Sequence, residues 1–242
     1  MKKKKDQWLP EEGKKVLLHT CCAPCSGAIV EYLVQRGIRP VIFYSNSNIT
    51  PRGEYDKRLN ECIRYAEKWG LEIVDDDYDH KDWLCISKGL EKEPERGLRC
   101  LECFRYRLTR AAMYASRNAF DYLATTLASS RWKDLSQVDS AGRLAVSSLT
   151  EGKDAPPKNA SLRSAPPLAS QSEAPVPPLN VPRVAVFSGG ASFPSTTPEE
   201  VIWWGQNWRK GGMQERRNFL IKSCALYNQT WCGCEFSARK ES

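Results

Sequence analysis

Apolar positions in the first half of this chain fall into short runs alternating with longer stretches of helical spacing. Val16–His19 is a brief apolar run of the kind a buried strand makes, and Cys25–Gly37 follows it with Ile29, Val30, Leu33 and Val34 on one helical face. Pro40–Tyr44, carrying Val41, Ile42 and Phe43, reads as a second strand. Glu54–Trp69 places Tyr55, Leu59, Cys62/Ile63, Ala66 and Trp69 at helical spacing, with Gly70 as a C-terminal stop. Leu71–Val74 is a third strand, Phe104 to Asn118 a helix and Tyr122–Leu127 a fourth strand. Strand and helix alternating through short connections predict an α/β fold, a Rossmann-like, mostly parallel sheet with helices on both faces. The active crevice of such a sheet lies at the carboxyl ends of its strands. Cys21-Cys22, Asn46–Asn48 and Ser129/Ser130 all fall at that rim.

The pattern stops at residue 134. Residues 134–200 hold ten of the fifteen prolines, are rich in Ser and Ala, and contain no Cys, Trp or Tyr. Such a stretch lacks the apolar surface to offset its ordering entropy, so it reads as a disordered insertion, with Val184–Phe187 a local strand at most. Residues 15–133 and 201–237 then form one discontinuous catalytic domain, flanked by a basic tail at 1–14 and a short tail at 238–242.

Composition adds partners and compartment. The formal charge of +7 is uneven, because residues 134–200 carry a net −2 and the rest about +9. A basic body favours polyanionic partners, although solvated surface lysines account for the charge equally well. No apolar run approaches the roughly 18 residues of a membrane span. The Met-Lys-Lys-Lys-Lys-Asp start has no apolar stretch behind it, so a cytoplasmic, reducing location without a membrane partner is expected. In that setting ten cysteines read as metal ligands or catalytic thiols rather than structural disulfides.

Their placement is the strongest chemical signal. Cys21-Cys22 opens the first helix, where unsatisfied N–H groups favour thiolates. Cys100-x-x-Cys103 enters a later helix, and Cys232-Gly-Cys234 lies near the end. A lone C-x-x-C serves a thioredoxin-type dithiol, half a zinc site or part of an iron–sulfur site. Together with Cys21 and Cys22 it makes four thiolates, enough for zinc or a cubane cluster, and the adjacent pair favours iron–sulfur. Cys25 is either a further ligand or a first-turn packing residue. Cys62, Cys85 and Cys224 read as packing.

Leu18-His-Thr-Cys-Cys-Ala-Pro-Cys-Ser26 resembles the N-terminal signature of the cobalamin-independent epoxyqueuosine reductases, the QueH family. Further matches are Thr50–Tyr55, Gly97–Leu108, Ala124–Ser130, Asn207–Gly212 and Tyr227–Ser237, so the likeness covers about residues 15–133 and 201–237 in order. The family joins these halves by a much shorter connection. The resemblance implies reduction of epoxyqueuosine at the tRNA wobble position to queuosine, with an unidentified electron donor. It implies a 4Fe-4S cluster on Cys21, Cys22, Cys100 and Cys103, and a redox-active disulfide-forming pair in Cys232 and Cys234. It further implies a mononuclear iron beside the cluster, for which Cys25 and the terminal pair are candidate ligands.

The chemistry is consistent with that expectation. Removing an epoxide oxygen as water takes two electrons and two protons, which a dithiol closing to a disulfide supplies. Tyr55, Glu54 and Glu235 are candidate proton donors, each with a plain alternative as a capping or surface residue. Trp208-Arg209-Lys210 and Arg99, Arg105, Arg107 and Arg110 suit RNA contacts, whereas Trp203, Trp204 and Trp208 also suit core packing, at least two of them. Two other functions use the same thiols: a cluster-containing tRNA thiolation enzyme, and a zinc- or cluster-stabilised RNA-binding module. The first wants a Gly-rich phosphate loop after strand one, where this chain has Cys-Cys-Ala-Pro-Cys. The second leaves Cys232 and Cys234 without a role.

Overall fold

A computed structural model of the chain describes residues 9–151, 185–186 and 200–237. Its strands are β1 (Val16–Thr20), β2 (Val41–Tyr44), β3 (Ile73–Asp75), β4 (Tyr122–Thr125), β5 (Ala185–Val186) and β6 (Ile202–Trp203). All pair in parallel, in the order β5-β3-β2-β1-β4-β6. The helices are α1 (Ala23–Val34), α2 (Arg52–Lys68), α3 (His80–Ser87), α4 (Leu98–Arg117), α5 (Leu135–Glu151) and α6 (Met213–Ser223). Every residue of β1 is buried, as expected for a central parallel strand covered on both faces.

The chain steps outward through β1, β2 and β3, with α1 packed beside α2, and then returns through α3 and α4 to place β4 on the other side of β1. α6 joins the α1 layer and α5 the α4 layer, so the two helix sets cover opposite faces. Strand order therefore reverses between β1 and β4, with Leu17 paired to Val41 on one side and Leu123 on the other. At that reversal the connections leave on opposite faces and open a crevice.

Two expectations about order require correction. Residues 135–151, read as the start of the insertion, form α5, with Val138, Ala141 and Ala145 buried at helical spacing. Pooled Ser/Ala composition hid the helix, although every proline of the 134–200 stretch lies at 156 or later. Asp134 begins α5 by accepting bonds at Oδ1 from the N–H groups of Ser136 (2.8 Å) and Gln137 (3.1 Å). The other correction is in the 1–14 tail, where Pro10 is buried and Lys14 and the Lys15 N–H both hold Asp121. Ala185–Val186 pair with β3, which bears out the expected local strand. The remainder of the expected insertion (152–184 and 187–199) and the outer parts of both tails (1–8 and 238–242) lie outside the described residues.

The tryptophans after the insertion seal the sheet. Trp204 and Trp208 are buried edge to face at 5.6 Å, and Trp208 Nε1 donates to the Thr125 carbonyl at 3.1 Å. Trp203 is half-buried and bonds Asp139 of α5 at 2.7 Å.

Candidate metal and thiol site

The amino-terminal thiols sit where β1 runs into α1. Cys22 is the extended N-cap residue of α1, Pro24 occupies its first turn, and the N–H groups of Cys25 and Ser26 both donate to the Cys22 carbonyl at 3.2 Å. The Cys21 N–H donates to Thr126 Oγ1 at 3.2 Å, which ties the end of β1 to the turn after β4. The sulfurs of Cys21, Cys22 and Cys25 all lie within 4.8 Å of one another, a group able to hold a metal ion, and Cys21 and Cys22 are 3.8 Å apart. Donation from the Cys22 and Cys25 thiols holds the Cys21 thiol well below its usual range, with Lys133 and Arg107 adding positive charge. The two donors are pushed up correspondingly.

A buried polar layer supports this turn. His19 Nδ1 lies 2.8 Å from Thr125 Oγ1 and Nε2 3.2 Å from the Ser45 carbonyl. Burial, followed by the Arg107 charge, pushes His19 down to about 3, so the ring is neutral, with Nε2–H donating to Ser45. Arg107 Nε donates to the same carbonyl at 3.0 Å and Nη2 to Asn46 Oδ1, whose amide donates to the Thr20 carbonyl at 2.9 Å. The ends of β1, β2 and β4 and the body of α4 are thereby locked together.

Cys100 and Cys103 occupy the first turns of α4, which begins at Leu98 rather than Phe104. The Arg96 N–H donates to Cys100 Sγ at 3.3 Å, and burial pushes the Cys100 thiol up. Cys103 is buried against Trp83 and Cys234. The carboxy-terminal thiols come from a loop docked on α2 and the segment before it. Arg58 pairs with Glu54 at 2.6 Å and donates to the carbonyls of Cys232 (3.1 Å) and Trp231 (3.5 Å). Gly233 has φ +97°, its carbonyl accepts from the Thr50 N–H at 3.0 Å, and an added Cβ would stand 2.8 Å from Ile49 Cγ1. The Cys234 thiol donates toward Cys232, which lowers the Cys232 thiol well below its usual range and raises that of Cys234.

Cys21, Cys22, Cys100, Cys103, Cys232 and Cys234 all line one cleft of about 710 Å³, and so does Cys25. Cys25 belongs to the tight triad, whereas Cys100 and Cys103 face the cleft outside it. Cys62 is core, as expected, and Cys224 is half-buried beside Lys68. Cys85, read as packing, is exposed because α3 is a short surface helix.

The proton-donor candidates do not reach this cleft. Tyr55 is buried with its hydroxyl on Asp75, and burial pushes it far up. Glu54 is taken by Arg58, and Glu235 lies 3.7 Å from His80. The arginines expected to meet RNA also serve the fold. Arg99 donates to the carbonyls of Leu90, Glu91 and Glu93, Arg105 pairs with Glu102, and Arg110 pairs with Asp76. The sequence reading missed Lys133, which lines the cleft. Burial disfavours its charge, but Cys232 and Cys21 outweigh burial and raise its pKa. Its position just past Ser129/Ser130 at the strand-four rim was the available signal.

Fold and site together define an α/β protein with a sulfur-lined cleft, able to hold a metal ion, at the reversal point of a parallel sheet. No described helix is long and apolar enough to cross a membrane. The family model for epoxyqueuosine reductase QueH matches residues 16–152 and 190–240, and the chain belongs to that family. The match includes α5, so the unmatched stretch is shorter than the expected insertion. The chain is 36% identical to the epoxyqueuosine reductase QueH of Histophilus somni, over 96% of this chain and 75% of that protein. Similar relatives occur in Haemophilus influenzae (34%, 96% of this chain and 74% of the relative) and Acinetobacter baylyi (35%, 96% and 84%).

Proposed function

We propose that this protein is an oxidoreductase of tRNA modification, which removes the epoxide oxygen of epoxyqueuosine at the wobble position of tRNA to give queuosine. The observation that carries this reading is the convergence of seven cysteines, from three distant segments of the chain, on one cleft. Family membership supports the substrate.

The donor set suits an iron–sulfur group. It is all sulfur, largely buried, and bordered by Lys133 and Arg107, whose charges offset those of thiolates. Cys21, Cys22, Cys100 and Cys103 would hold a 4Fe-4S cluster, with Cys25, the third member of the tight triad, available to an adjacent mononuclear iron. When bound, these groups would supply single-electron transfer and Lewis acidity toward the epoxide oxygen. Cys232 and Cys234 supply the two-electron store. Closing their disulfide releases two electrons and the Cys234 thiol proton; with one further proton taken from solvent, these are the two electrons and two protons consumed when the epoxide C–O bonds break and the oxygen leaves as water. Arg58, Thr50 and Gly233 hold this pair at the cleft, and Lys133 stabilises the Cys232 thiolate. Each turnover ends with a disulfide that an external two-electron donor reopens, which suits a reducing, cytoplasmic setting.

The test is anaerobic purification, metal analysis and incubation with epoxyqueuosine-bearing tRNA plus a chemical reductant, read by mass analysis of the digested nucleosides. The expected result is brown, iron-containing protein and a product nucleoside one oxygen lighter. Colourless protein with stoichiometric zinc and no turnover would overturn the reaction and favour a zinc-stabilised RNA-binding module.

A further inference from the structure

Taking the proposed reaction on tRNA as given, we infer that Trp132, with Arg131 over its ring, is a stacking platform that receives an unpaired anticodon-loop base at the mouth of the thiol cleft.

The segment Ser130–Lys133 leaves the turn after β4, and four consecutive carbonyls are each held by an arginine. Arg209 donates to the carbonyls of Ser130 (2.6 Å) and Lys133 (2.7 Å). Arg96 donates to those of Arg131 (3.0 Å) and Trp132 (3.1 Å). The Trp132 N–H is also occupied, bonding Ser130 Oγ at 3.3 Å. An exposed loop with its backbone clamped in this way offers its side chains in a fixed place, which lowers the ordering cost of binding.

What it offers is an aromatic face and positive charge. Trp132 is 60% exposed, and of the exposed large apolar side chains among the described residues it alone lines the cleft. The Arg131 guanidinium lies 4.9 Å from the centroid of the Trp132 ring. Glu95 is the one acidic residue among the described cleft-lining residues, against several arginines and Lys133, so the mouth favours a polyanion. An exposed indole beside a guanidinium, in a basic cleft, is the pairing that binds single-stranded bases by stacking and their backbone by charge. Arg96 ties the platform to the chemistry. It holds a left-handed φ of +69°, a strained conformation for a non-glycine residue; its side chain clamps the platform while its N–H donates to Cys100 Sγ.

The experiment compares anaerobically purified full-length wild type with Trp132→Ala, Trp132→Phe and Trp132→Leu. The readouts are Kd for an anticodon stem–loop RNA, steady-state kinetics on epoxyqueuosine tRNA, and iron content. Trp132→Ala should raise Kd and KM roughly 10- to 100-fold with kcat and iron unchanged. Phe should restore most of the affinity and Leu should not. Arg131→Ala should weaken binding and reduce the salt slope by about 1. Unchanged Kd in Trp132→Ala, a Leu variant as good as Phe, or loss of kcat alone would each overturn the platform. If Trp132→Ala loses iron, the Phe and Leu pair decides the matter. Wild type that binds the stem–loop through Trp132 yet never turns over the tRNA would overturn the proposed reaction and leave the platform standing.

Discussion

At the amino-terminal end of the cleft, Cys21, Cys22 and Cys25 sit on backbone that the sheet fixes. At the carboxy-terminal end, Cys232 and Cys234 sit on a loop outside any strand, docked through Arg58, Thr50 and Gly233. The first group is anchored from below by His19, Asn46, Arg107 and Thr126, and its three sulfurs crowd within 4.8 Å. The second has a single residue, Gly233, between its two free cysteines and one buried guanidinium behind it. Rigid, crowded thiols suit permanent ligation, in which geometry must not change. A docked loop suits a pair that opens and closes each cycle, because ring closure moves backbone that no strand would release.

The largest effect expected at the loop end comes from Arg58→Ala. It leaves Glu54 with the Tyr227 hydroxyl but no cationic partner and frees two carbonyls, so stability should fall by about 2–3 kcal/mol. Iron content should stay at the wild-type level while turnover collapses. Thermal melts with iron assays check both, and iron loss matching the turnover loss would erase the distinction between the two ends. Gly233→Ala is a finer probe. It places a Cβ against Ile49 at φ +97°, a local cost of about 1–3 kcal/mol. Turnover should fall roughly tenfold or more through misplacement of the pair, with the visible spectrum intact. A Gly233→Ala enzyme with wild-type kcat would show that the loop needs no defined geometry.

Asp134→Ala gives the smallest effect and separates global stability from loop placement, since Asp134 begins α5 and touches neither sulfur group. Loss of this cap should cost about 1 kcal/mol with normal turnover per iron. Bonds from Ser136 and then Gln137 hold the Asp134 carboxyl below its usual range. A depressed folded-state pKa stabilises the protein above the unfolded value of about 3.9 and loses that contribution as pH falls through the folded value. Melting midpoints of wild type and variant should therefore differ at pH 6 and converge near pH 2–3. A pH-independent gap would place the effect outside the carboxylate.

Much of the fold was legible because its central strands are uninterrupted apolar runs and its main helices carry clear stripes. The helices that escaped notice lack that signature. α3 is eight residues long with an exposed Leu84, α6 leaves Phe219 exposed, and α5 is striped largely by alanines inside a Ser/Ala-rich stretch. The sulfurs at the rim were legible because a strand's end and a helix's start are local features. Their supports were not, because Arg58 reaches a loop 174 positions away and Arg96 and Arg209 clamp carbonyls of a distant turn. Side-chain bonds across such separations leave no periodic trace. For the same reason the bonds by which Arg99, Arg107 and Arg110 brace the fold were not foreseen, and the exposed Trp132 went unremarked.

The central claim is a division of labour between the two ends, and iron content with the visible spectrum of Cys21→Ala and Cys232→Ala, purified side by side without oxygen, tests it most directly. The account predicts a colourless Cys21→Ala protein and a Cys232→Ala protein with wild-type iron and colour but no conversion of epoxyqueuosine tRNA. Iron lost equally from both, or retained in Cys21→Ala, would contradict it.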